Sequence, residues 1–164
     1  MLDQMQIAAG FVPVNLATAA NNSDWVNLKS YARLLVLFFK GAAASGTEDP
    51  TVTLLQATDV AGTGSKALNI ARSWTKTDAD LTTIGQFTAG NPSTNTLTVA
   101  SSAQKGAMWV VEVLASDLDK TNGFSCVQAN VADVGSVAQL GCMLYILGDP
   151  RQCDTPVLNP SALA

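Results

Sequence analysis

The sequence predicts an all-β protein folded as a single β-sandwich, and three observations carry that expectation. Short apolar segments alternate with period two, turns of Gly, Thr, Asn and Ser separate them, and no stretch sustains a helical period. The segments amount to about eight strands, the pattern of a sandwich or barrel. With 164 residues the chain fits one domain able to bury a substantial core.

Residues 1–24 are rich in Ala, Asn and Gln without a sustained period, and Pro13 sets residues 11–16 as an extended island. They read as an extended N-terminal arm. A β-sandwich domain is expected over 25–148 and a C-terminal tail over 149–164, which Pro156 and Pro160 keep extended. Residues 25–40 hold two strand-like pieces, of which 34–39, Leu-Leu-Val-Leu-Phe-Phe, is apolar on both faces. Such a strand is expected to be covered on both sides. Val52 and Leu54 share one face of a half-buried strand, and Leu68, Ile70 and Trp74 share another period-two face that Arg72 interrupts. The Gly, Thr, Asn, Ser and Pro residues of 82–95 mark a long loop before a short strand over 96–99. Residues 108–115 are apolar in both phases apart from Glu112 and also call for cover on two sides. A turn over 117–123, with room for one helical turn, leads into a strand over 124–131, so that a β-hairpin is expected. In the last strand, 138–147, the sequence reading turns Leu140, Cys142, Leu144 and Ile146 inward.

Composition narrows function. Only 13% of residues are charged while 48% are hydrophobic, against about 25% charged in ordinary soluble domains, so apolar surface should remain for neighbours to cover. A net charge of -4 disfavours electrostatic binding of nucleic acid or anionic membrane. No apolar run approaches the roughly 18 residues of a membrane helix. The opening residues lack the basic region of a secretion signal, and three cysteines cannot all pair internally, so cytoplasmic synthesis without a disulfide framework is expected. Cys126 and Cys142 read as small core residues, and Cys153 as an exposed tail residue.

With no histidine in the chain, the usual general base, the Ser-His-Asp and Cys-His systems and the commonest zinc ligand are missing. Glu112, flanked by Val111 and Val113, is the sharpest candidate for a general acid, but an edge position or an ion pair with a cation such as Arg33 explains it better. Gly62-Thr-Gly-Ser-Lys-Ala67 fits the loose dinucleotide-binding form, yet strand spacing follows it where a helix should open, so a hairpin loop is favoured. In Asp117-Leu-Asp119 with Gly123 the glycine comes too late for a calcium loop, and Gln128 stands where a bidentate glutamate is needed. Asp78 and Asp80 have no accompanying ligands. Trp25, Trp74 and Trp109 could stack sugars, but their wide separation favours burial in a core or interface. The chain therefore reads as non-enzymatic, with no catalytic, cofactor or metal site.

Several segments in order carry a resemblance: Gly10-Phe-Val-Pro-Val-Asn15 leading to Asp24-Trp-Val-Asn-Leu-Lys29, then Leu55-Gln-Ala-Thr-Asp-Val-Ala-Gly-Thr-Gly64. Met108-Trp-Val-Val-Glu-Val113 with Ser116-Asp-Leu-Asp119, and Tyr145-Ile-Leu-Gly-Asp-Pro-Arg151, complete it. In layout the chain resembles the head decoration, or cement, proteins of tailed bacteriophages. The resemblance implies a jelly-roll-like sandwich, synthesised in the host cytoplasm, that forms homotrimers on the outer capsid surface and binds the major capsid protein through its arms. Met1, Leu2, Met5, Phe11, Val12, Pro13 and Val14 are the expected partner contacts, ordering on binding. A phage tail, neck or adaptor component and a carbohydrate- or host-surface-binding module are the rival readings.

Overall fold

Alternation of bulky apolar residues with a second, equally apolar set drives the central strands of this protein. The fold is described from a computed structural model, over residues 5–77, 86–98, 100, 103 and 105–151. The strands are β1 (Met5–Asn15), β2 (Asn21–Asn22), β3 (Val26–Asn27), β4 (Tyr31–Lys40), β5 (Thr51–Ala57) and β6 (Lys66–Ala67). They continue as β7 (Arg72–Thr77), β8 (Thr88–Gly90), β9 (Thr96–Thr98), β10 (Ala107–Leu114), β11 (Cys126–Val131) and β12 (Leu140–Pro150).

Two antiparallel sheets result, the larger in the order β1-β12-β4-β10-β7-β8 and the smaller in the order β2-β11-β5-β6. Both outer edges of the smaller sheet are made from two short pieces. β3 and β2 pair successive parts of β11, while β9 and β6 pair successive parts of β5. The pairs β1 with β12, β2 and β3 with β11, β4 with β10, and β5 with β6 form one long antiparallel ribbon. Its successive pairs lie alternately in the two sheets, which is the strand order of a jelly roll. β7 and β8 widen the larger sheet beyond β10.

The sandwich core lies between the sheets. Leu34, Val36 and Phe38 of β4, Trp109, Val111 and Val113 of β10, and Met143, Tyr145 and Leu147 of β12 face Val52 and Leu54 of β5 and Val127, Ala129 and Val131 of β11. The Phe38 and Trp109 rings pack at 5.0 Å between centroids. A polar staple crosses this core. The Tyr145 hydroxyl is hydrogen-bonded to Ser23 Oγ and accepts the Ala129 N–H at 2.9 Å, joining the centre of one sheet to the other. Replacing Tyr145 with Phe should lower stability by about 1–2 kcal/mol, measured by urea unfolding at neutral pH.

The same staple predicts alkaline sensitivity. Burial pushes the Tyr145 pKa from 10.0 up to about 12, with the bonds to Ser23 and the Ala129 amide acting in the opposite direction. The folded protein thus holds the phenol proton more tightly than the unfolded chain does. Its contribution is full below pH 10.0 and declines as pH rises toward about 12. The total loss is on the order of 2–3 kcal/mol. Stability measured across this range should fall less in Tyr145→Phe than in the parent.

Several expectations are corrected. Residues 5–15 are not an arm but the edge strand β1, paired with β12 from Met5 opposite Gly148 to Asn15 opposite Leu140. Pro13 suggested a detached segment, but it lies where the register shifts, at an edge that tolerates a missing N–H. Downstream, β12 runs to Pro150, so Asp149 and Pro150 belong to the sandwich rather than to a tail; residues 152–164 lie outside the described residues. The turn after β10 makes no hairpin, because β10 and β11 belong to different sheets. Leu68 and Ile70 enter the core, but the chain then crosses to the larger sheet and Trp74 stands on its opposite face. Within the expected 82–95 loop, residues 88–90 form β8; residues 82–85 lie outside the described residues.

Candidate interaction face

The larger sheet buries one face against the smaller sheet and turns a second apolar face outward. In β12 the buried positions are Met143, Tyr145 and Leu147, so Leu140, Cys142, Leu144 and Ile146 point out, opposite to the sequence expectation. Both phases of this strand are apolar, and a shift of one residue exchanges the faces. Cys142 is accordingly half-buried on the outer face rather than a core residue, while Cys126 is buried as expected.

Strand register aligns the outward residues in rows. One row runs Ala9, Leu144, Leu37, Val110, Trp74, Ala89 across all six strands. A neighbouring row runs Ile7, Ile146, Leu35 and then Glu112 and Arg72; on the other side Cys142, Phe39 and Met108 are followed by Lys76. No described strand or helix lies over this face, since every strand belongs to one of the two sheets and the smaller sheet packs on the opposite side. The exposure is large at its β1 and β12 side: Leu140 63%, Ile7 53% and Leu144 36%, with Val12 of β1 at 63%. Monomeric proteins rarely leave contiguous apolar surface of more than a few hundred Å2 open, and such surface marks contact sites.

A chain of alternating charges borders the apolar rows. Asp149 pairs with Arg33 at 3.0 Å, Arg33 with Glu112 at 2.8 Å, Glu112 with Arg72 at 2.7 Å, and Arg72 with Asp117 at 2.5 Å. The Arg72 Nε–Glu112 contact is an ion pair whose N–H is not aimed for a hydrogen bond. Glu112 thus takes the ion-pair role with Arg33, and among the described residues no group of three or more Asp, Glu, Cys or His side chains could hold a metal ion. Glu112→Gln should cost about 1 kcal/mol by urea unfolding, because both guanidinium partners remain partly solvated, and should leave association unchanged.

β1 is the outer strand of the larger sheet and pairs with β12 on its inner side. Its eleven residues carry no charge, and the stretch 5–9 has none of the proline or register shifts that blunt the stretch 10–15.

The residues expected to touch a partner are divided by this geometry. Phe11 turns towards the core, 6.2 Å from the Phe38 ring, and Val14 packs against the same cluster, so both are partly buried. Val12 and Pro13 are exposed, and Met5 is half-buried opposite Gly148. Met1 and Leu2 lie outside the described residues. Ordering on binding does not apply to residues 5–15, which already form β1.

The remaining motifs resolve as structure. The glycine-rich stretch is the loop between β5 and β6, where the Asp59 carboxylate accepts the Ala61 and Thr63 amides at 3.0 Å; these bonds, that of Thr63 foremost, hold its pKa below the ordinary value. Asp119 caps the 3-10 turn Lys120–Asn122 and pairs with Lys66, and Asp117 accepts the Leu114 amide and pairs with Arg72, so both carboxylates serve the turn. Asp78, Asp80 and Cys153 lie outside the described residues. Trp109 is in the core, Trp74 is on the outer face, and the Trp25 indole lies against Gly62, so the tryptophans form no shared platform.

No family model matches the chain, and no curated protein matches its sequence. Among solved structures, the SPBc2 prophage-derived protein YomS is similar at a TM-score of 0.47 and 10% identity, over 87% of this chain and 91% of that one. The VP2 subviral particle of infectious bursal disease virus gives a TM-score of 0.15 at 14% identity, over 91% of this chain and 39% of that one. At these scores neither likeness bears on function.

Proposed function

We propose that the chain is a non-enzymatic structural virion protein, a capsid decoration or cement protein that binds the major capsid protein lattice from outside and stabilises the head. The observation that carries this reading is the apolar outer face of the larger sheet, with one row uninterrupted across six strands. An apolar surface of that kind is stabilised by covering it, and on a lattice many modest contacts act together. The layout shared with decoration proteins supports the choice of partner. Self-association as a homotrimer belongs to the same proposal, with the uncharged outer strand β1 lying beside the apolar rows. Decoration would add buried area across capsomer boundaries, so that internal pressure has more contacts to break.

The test is co-sedimentation of purified protein with capsid shells that lack it, followed by electron microscopy of the decorated shells. Saturable, stoichiometric binding with trimeric density on the outer surface is the expected result. Rings or tubes at low copy number, located at the neck or tail, would instead establish the tail or adaptor reading.

A further inference from the structure

Away from the apolar face, one end of the sandwich carries an open cavity of about 300 Å3 between the segment after β3, the turn after β10 and the end of β12. Its floor is apolar and buried: Leu28, Ala115, Leu118 and Phe124. Its rim carries Lys29, Lys120 and Arg151, and among the described residues no acidic side chain lines it.

The rim cations stand out against the rest of the chain's charge. Of nine lysines and arginines, Arg33, Lys66 and Arg72 are held in ion pairs. Lys40 and Lys105 have polar or electrostatic partners as well. Four cations then remain without an ion-pair partner among the described residues: Lys29, Lys76, Lys120 and Arg151. Three of those four surround this one cavity, in a chain of net charge -4. The Phe124 ring at its floor is further engaged by Lys66, whose ammonium lies 4.2 Å from the ring centroid.

We infer that this cavity is a docking pocket for an acidic segment of a partner protein, one that presents a carboxylate beside an apolar side chain. The apolar floor takes the hydrocarbon and the three cations take the carboxylate, with Arg151 able to grip it through two N–H groups. Phosphate-bearing ligands are disfavoured, because an apolar floor offers nothing to a phosphate. A protein segment fits better than a small metabolite. The cavity is at the bottom of the size range of small-molecule sites, and among the described residues no buried polar side chain lines it to fix a ligand's orientation. The inference rests on reading the chain as a protein-binding module. On such a module, a cationic pocket on a chain of net charge -4 selects one register of an acidic partner and repels the others.

The experiment reads the pocket alone, so its outcome is separable from capsid binding. The full chain, labelled with nitrogen-15, is titrated with the peptide acetyl-Leu-Asp-Phe-Glu-amide. Shifts are expected at the amides of Lys29, Lys120, Gly123, Phe124, Ser125 and Arg151, with a Kd on the order of 1 mM at low salt. Binding should weaken several-fold when sodium chloride is raised to about 0.5 M. The amide counterpart acetyl-Leu-Asn-Phe-Gln-amide should bind at least about tenfold more weakly, as should the combined variant Lys29→Ala, Lys120→Ala, Arg151→Ala, whose circular dichroism should match the parent. Equal shifts from the amide peptide, or no shifts at about 10 mM acidic peptide, would overturn the proposal. So would inorganic phosphate moving the same amides as strongly, which would make the site an anion site, or sodium benzoate binding as tightly as the peptide, which would make it a small-carboxylate site.

Discussion

A chain carrying both Leu140→Lys and Leu144→Lys is expected to fold as the parent does and to lose 100-fold or more of its affinity for capsid shells, a loss of about 3 kcal/mol. The two leucines are 63% and 36% exposed, on the outward phase of β12, so lysine side chains can reach water without disturbing Met143, Tyr145 and Leu147 beneath them. In the free protein the change should therefore stay within about 1 kcal/mol. In a covered interface the same two ammonium groups would have to be dehydrated without partners, and a single buried unpaired charge costs about 3–5 kcal/mol. Sedimentation with shells measures the loss, and urea unfolding measures the stability. Undiminished binding by a folded variant would remove the outer face of the larger sheet as the contact surface.

Trp109→Ala should produce the largest loss of stability of any single truncation considered, about 3–5 kcal/mol. The indole is 1% exposed and packs on Phe38, which in turn meets Phe11 of β1. Truncation leaves a cavity at the centre of the larger sheet and removes support for its edge strand, and typical total stability is only about 5–15 kcal/mol. Trp109→Phe should cost far less. Trp109 Nε1 has no hydrogen-bond partner among the described residues, so phenylalanine removes an unpartnered donor while keeping a ring against Phe38. Urea unfolding of both variants checks the order, and a Trp109→Ala loss below about 1.5 kcal/mol would show that the core closes around the gap.

The all-β sandwich was legible because β4 and β10 write it twice, with apolar residues in both phases and turns at either end. Those double phases also hid the site. In β12 both Leu140-Cys142-Leu144-Ile146 and Met143-Tyr145-Leu147 qualify as an inner face, and local pattern cannot choose between them. What decides is long-range pairing: Tyr145 has to meet Ala129 of the smaller sheet and Ser23 between β2 and β3, and only one phase allows it. β1 escaped detection for a related reason. Small residues at Ala8, Ala9 and Gly10 blur its alternation, and Gly10 is needed because a side chain there would collide with Met143. The cationic pocket was unreadable in principle, since Lys29, Lys120 and Arg151 are far apart in sequence and only the winding of the ribbon assembles them.

The winding that places β1 beside β12 also dictates the order in which the protein can be made. Met5 finds its partner in Gly148, so β1 cannot settle until β12 has left the ribosome. Topologies dominated by such distant pairings fold in roughly milliseconds to seconds, far slower than helical bundles of similar size. Throughout that interval the two-sided apolar strand β4 waits for neighbours on either hand, β12 on one and β10 on the other. A nascent chain of this design is therefore expected to be a client of chaperones during synthesis, and to aggregate when truncated before β12.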